Sequence, residues 1–135
     1  MAYSRGAASL KECRPLRTEC EYKGNFLSIE LLVLDSGSCP VRDYLSSLTS
    51  QERQKVDVLF ERLGSTGKIT NEQKFKKIEG TGSLFEFKSF QTRLICFFTR
   101  DKRVVICHAL RKKQDKHKPK DLEHAENLRK ALLGI

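Results

Sequence analysis

No stretch of this sequence approaches the roughly 20 consecutive apolar residues that a membrane-spanning helix needs, so no membrane partner is expected. The start, MAYSRGAASLKEC, lacks the apolar segment of a secretory signal. Glu12, Glu19 and Glu21 also argue against an organelle-transit peptide, and a cytoplasmic protein is expected. Five cysteines is an odd number with no regular framework, which suits a reducing compartment better than a disulfide scaffold. Cys13, Cys20 and Cys39 do not have the spacing of zinc ligands, while Cys96 and Cys107 read as small buried hydrophobes. Also missing are a Gly-rich phosphate loop leading into a helix, a nucleophile elbow and a paired-carboxylate signature. No metal or cofactor is expected. The chain shows no repeat and no low-complexity tract, and its 135 residues suffice for one domain.

What is present in excess is positive charge, and it is segregated. Residues 1–87 hold 13 Lys/Arg against 12 Asp/Glu, whereas residues 88–120 hold 11 against 2. Residues 121–135 hold 2 against 3, so the whole net charge of +9 arises in one third of the chain. Scattered solubilising charge would not segregate in this way, and a polyanionic partner is expected.

Residues 1–24 lack periodicity and carry Gly6, Pro15 and Gly24, which predicts a flexible N-terminal arm before a domain over 25–135. FLSIELLVL (26–34) has the length and composition of a strand closed by Asp35, Ser36 and Gly37. CPVRDYLSSL predicts a helix with Pro40 in its first turn. In TSQERQKVDVLFERLG, Thr49 and Glu52 form a capping box, Val56, Leu59, Phe60 and Leu63 make one apolar stripe, and Gly64 is the expected stop. SLFEFKSF, TRLICFFT and RVVICHAL then read as three strands of a meander joined near Gln91 and at Arg100–Lys102. PKDLEHAENLRKALL is a closing helix, with acids near its start and Arg129 and Lys130 near its end. The expected fold is α+β: a small antiparallel sheet packed on two N-terminal helices, with a C-terminal helix and one sheet face free.

Strand alternation puts Glu86 and Lys88 on one face with Leu84, and Arg93 on one with Ile95 and Phe97. Charges inside strands are costly unless paired or solvated, and a cross-strand Glu86–Arg93 pair is one reading. It is compatible with Lys88 and Arg93 serving function. Between strand and closing helix, ALRKKQDKHKPKDLEHA (109–125) packs six basic side chains and His117 into ten residues. It reads either as a solvated loop or as a phosphate cradle of three lysines and an arginine, Arg111, Lys113, Lys116 and Lys118. His117, inside this run, is expected to be exposed and able to accept a proton. His108, near the strand end, reads as a hydrogen-bonded core histidine or as a catalytic one.

GTGSLFEFKSFQTRLICFF and VVICHALRKKQDKHKPKDLEHA together resemble the HigB branch of the RelE/ParE toxin superfamily. Gly82, Leu84, Phe85, Glu86 and Phe87 match its first block; Arg93, Phe97 and Phe98 its second; His108, Lys112, Lys113, Lys116 and Ala125 its third. The likeness runs from about Phe26 to the end. Lys88 stands where the pattern has Arg, Leu110 where it has Phe, and His117-Lys118-Pro119 where it has Thr-Pro. The resemblance implies a RelE-like domain and a type II toxin, an endoribonuclease that cleaves mRNA on the translating ribosome. It also implies restraint by an antitoxin with a helix-turn-helix domain. Arg93 and Lys88 would hold the phosphate, Lys112 or His108 would carry protons, and Arg111, Lys113, Lys116, His117 and Lys118 would bind RNA, with Glu86 and Gly82 structural. The alternatives are a ParE-like DNA gyrase inhibitor and a non-catalytic RNA-binding module.

Overall fold

The computed structural model describes residues 14–112 and 116–135. Strands β1 (Pro15–Lys23) and β2 (Ser28–Leu34) lead into helices α1 (Pro40–Ser46) and α2 (Ser50–Thr66). Strands β3 (Phe75–Lys77), β4 (Phe85–Ser89), β5 (Thr92–Phe98) and β6 (Arg103–Arg111) follow, and α3 (Pro119–Leu133) closes the chain. The fold is α+β, as expected, and compatible with a small RelE-like domain. The sheet has six strands in the order β1-β2-β6-β5-β4-β3, and it is mixed, not antiparallel: β2 runs parallel to β6. β2 and β6 are central and covered on both faces, which is why both read as nearly unbroken apolar runs.

One face carries α1 and α2. Val41 and Leu45 of α1 and Val56, Leu59, Phe60 and Leu63 of α2 pack on Ile29, Leu31, Phe87, Leu94, Cys96, Val104 and Ile106. The other face, expected to be free, is occupied by α3, whose Ala125 and Leu128 are buried with Leu84, Ile95, Phe97, Val105 and Cys107. An apolar stripe on a terminal helix has to be buried somewhere, and this face is where it goes. The capping box is formed: Thr49 accepts from the Glu52 amide at 3.1 Å, and Glu52 accepts from the Thr49 amide at 3.0 Å. That backbone bond, with Arg111 nearby, holds the Glu52 carboxyl below its ordinary range.

Two sequence-based boundaries are corrected. The helix does not stop at Gly64 but runs on to Thr66, with Gly67 taking the left-handed cap at φ 85°. The arm does not extend to residue 24, because Pro15–Lys23 form an edge strand; the rest of it, residues 1–13, lies outside the described residues. β1 shows no hydrophobic alternation because it is an edge strand held partly by charge. Glu19 and Glu21 accept from Arg42 at 3.1 Å each, and Glu21 also pairs with Arg53.

Gly64 has a different task from stopping a helix. Its carbonyl accepts from the amides of Phe26 and Leu27, and Gly24 lies so close that an added Cβ would sit 2.2 Å from Gly64 backbone atoms. Gly24→Ala is therefore expected to cost about 1–3 kcal/mol, the usual range for overpacking, read as a lower urea midpoint. Gly82→Ala is the control. A Cβ at Gly82 meets nothing within 4 Å and its φ is not left-handed; Gly80, at φ +80°, is the glycine its turn requires. An unchanged midpoint for Gly24→Ala would mean the hairpin is not seated on α2 as described.

Candidate nucleic-acid interface

The site grows from an irregularity in β6. Ile95 pairs with His108 and Cys96 with Ile106, so Cys107 is an extra residue, a β-bulge. The bulge turns His108 toward the face of Ile95, where α3 lies, instead of the face of Ile106. There His108 Nε2 lies 3.2 Å from Asp121 Oδ1 in the first turn of α3, and its ring packs edge-on against His124 at 5.1 Å. Burial lowers the pKa of His124, and neighbouring His108 lowers it further against the pull of Asp121. Cys107 itself is buried, which pushes its thiol up to about 12. Cys96 is raised by burial as well, so both behave as apolar side chains.

β4 and β5 form a hairpin whose two-residue tip is Phe90–Gln91. Lys88 faces Arg93 across it, and Glu86 faces Ile95, so Glu86 and Arg93 are diagonal neighbours. Their closest approach is 3.9 Å, between Arg93 Nε and Glu86 Oε1. The Arg93 guanidinium donates to the carbonyls of Phe90 at 2.7 Å and Thr92 at 3.0 Å. His117 completes the cluster, its Nε2 2.8 Å from the same Glu86 oxygen. The expectation that His117 is exposed is overturned: its side chain is 3% accessible, as is that of Glu86. A buried carboxylate draws in whatever cation or donor reaches it, and the chain entering α3 brings His117 back across β4. Arg93 Nε and His117 Nδ1 are buried without hydrogen-bond partners among the described residues.

Three clefts among the described residues meet at His117, and two of them also reach Lys116. The larger, about 640 Å³, is lined by Leu110, Arg111, Lys112, Lys116, His117, Lys118 and Asp121. The other, about 470 Å³, runs from Lys116 and His117 past Glu86 to Lys76 and Gly80. β6 places Lys112 at the mouth of the larger cleft, where its amide donates to the Gln91 carbonyl at 2.9 Å. Lys118 occupies the N-cap position of α3 and Pro119 its first turn. Asp121 is the one acid among the described residues that line the larger cleft, while Glu79 and Glu86 line the other.

The sequence-predicted residues are thus partly assembled and partly dispersed. Lys112, Lys116, His117 and Lys118 meet in one cleft. Arg111 lines it too, but its guanidinium reaches toward Glu52 of α2 at 3.5 Å. His108 stands behind Asp121, Arg93 is clamped inward at 8% exposure, and Lys88 flanks the hairpin. Lys113 lies outside the described residues. Asp121, which orients His108, was missed; its position in the first turn of α3 explained it as a helix-dipole residue and hid its partner.

The fold and this cleft define an α+β protein with one cationic rim built where a strand, a hairpin tip and a helix start converge. Residues 43–130 match the family model described as Phage derived protein Gp49-like (DUF891), and the chain belongs to that family. It is a toxin-like family related to RelE/HigB type toxins and associated with the toxins of toxin–antitoxin systems, which implies an antitoxin partner. No curated protein matches the chain. No helix among the described residues is long and apolar enough to cross a membrane.

Proposed function

We propose that this protein is the toxin of a type II toxin–antitoxin pair and cleaves mRNA, acting on the translating ribosome without a metal ion. The observation that carries the reading is the cleft holding Lys112, Lys116 and Lys118 with, among the described residues, one acid, itself engaged with His108. Cations bind phosphate and do not ligate metals, so this lining suits in-line attack by an RNA 2′-hydroxyl on its own phosphate. That reaction needs a base for the hydroxyl, positive charge on the crowded phosphorane and an acid for the leaving 5′-oxygen. Lys112 is the residue of the expected catalytic set that lines the cleft, and we assign it the phosphate or proton-transfer role. Lys116 and Lys118 hold flanking phosphates. Arg93 acts as a positioning residue: it grips the hairpin tip through the Phe90 and Thr92 carbonyls. His108, oriented by Asp121, is the second proton carrier, one layer behind.

Induction of the protein alone in a bacterium tests the reading. Growth is expected to arrest, with amino-acid incorporation falling before DNA synthesis and messenger fragments bearing 2′,3′-cyclic phosphate ends. Loss of DNA supercoiling with intact messenger would instead assign the gyrase-inhibitor activity. An antitoxin carrying a helix-turn-helix domain is expected to relieve the arrest.

A further inference from the structure

We propose that Phe90 is a stacking platform for one unpaired RNA base, a subsite that rests on the RNA-cleaving reading above. Phe90 sits at the tip of the β4–β5 hairpin with φ 54° and is 64% exposed. A left-handed turn position is filled most cheaply by Gly, Asn or Asp, and a bulky aromatic there is an outlier. Packing does not explain it. Phe98, also partly exposed, stands edge-on to Phe85 at 5.0 Å, and Phe26 rests on Gly67. Among the described residues, Phe90 joins no ring pair and neither apolar cluster.

Its backbone, by contrast, is held firmly, and by the site itself. The Phe90 carbonyl accepts from buried Arg93 at 2.7 Å, and the neighbouring Gln91 carbonyl accepts from the Lys112 amide at 2.9 Å. The ring is therefore carried on the same backbone frame as the start of the cationic cleft. An exposed aromatic face beside lysines that neutralise phosphates is the combination by which proteins hold single-stranded RNA: charge tracks the backbone, and a ring receives the base. Phe90 would select for an unstacked base next to the bound phosphate while tolerating its identity.

Phe90→Gly is the test variant, because glycine suits φ 54° and should leave the melting temperature no lower. Binding would be measured to ribosomes programmed with a 2′-O-methylated, uncleavable messenger and to the same messengers with one base at a time removed. Wild type is expected to lose roughly 10-fold in affinity at one abasic position. Phe90→Gly should lose a similar factor on the intact messenger and nothing further at that position, with an unchanged salt slope. Phe90→Tyr should bind as wild type, and Lys118→Ala should flatten the salt slope while keeping the wild-type loss at the abasic position. Equal binding by Phe90→Gly and wild type to every messenger would overturn the stacking role and leave the RNA-cleaving reading standing. Wild type that loses affinity at no abasic position would likewise overturn the stacking role, whereas messenger left uncleaved by the wild type on programmed ribosomes would overturn the RNA-cleaving reading.

Discussion

Glu86→Ala is expected to destabilise this domain by about 3–5 kcal/mol. The carboxylate is 3% exposed, accepts from His117 at 2.8 Å and lies 3.9 Å from Arg93 Nε. Its removal leaves a guanidinium, 10% exposed, with carbonyl partners but no counter-charge, and strips His117 of its one bond among the described residues. Arg93 Nε and His117 Nδ1 are already without partners, so the cluster has no spare acceptor to share out. The melting temperature should fall by roughly 10 °C or more. Glu86→Gln keeps the shape and one acceptor and should fall between wild type and Glu86→Ala. A Glu86→Ala protein melting within a degree or two of wild type would show that Arg93 and His117 do not depend on this carboxylate.

That cluster also marks where reading the sequence stopped being sufficient. Strand alternation correctly put Glu86 and Arg93 within reach of each other, since both are local properties of two adjacent strands. His117 belongs to the same cluster only because α3 covers the sheet, and a basic run gives no sign that one of its members turns inward. The same division holds elsewhere. Thr49, Glu52, Pro40 and Pro119 declare helix starts through their own chemistry, and each stands where expected. β1 does not declare itself, because its stability comes from pairing with β2 and from arginines on two helices. β3, three residues long, carries too little pattern to be seen. Cys107 as a bulge is invisible as well: one extra residue alters no composition, yet it decides which face His108 occupies.

The second large effect concerns chemistry. Lys112→Ala should reduce single-turnover cleavage of messenger on programmed ribosomes by roughly 100-fold or more, the loss typical of a general acid–base group or a transition-state contact. Binding should weaken far less, since Lys116 and Lys118 still line the cleft. The backbone should hold its place, since the Lys112 amide bond to Gln91 survives the substitution. Lys118→Ala is the matched comparison. It removes a charge at the start of α3 and should flatten the salt dependence of binding by about one unit of slope with little effect on the chemical step. If cleavage and binding fall in proportion in both variants, the cleft is an electrostatic platform, and the catalytic groups lie elsewhere on the sheet.

The parallel pairing of β2 with β6 has a consequence for when the cationic cleft can form. Ser28–Leu31 must wait for Arg103–Ile106, so the centre of the sheet closes only after most of the chain is available. Such distant pairing carries a loop-closure penalty before any contact repays it, and it slows folding. The cleft is framed by residues 110–112, 116–118 and 121, at the end of that strand and the start of α3. A chain that stops short of them therefore carries neither the cationic residues nor their arrangement. On the proposed reading, activity should track the number of finished molecules, and partial products should have none.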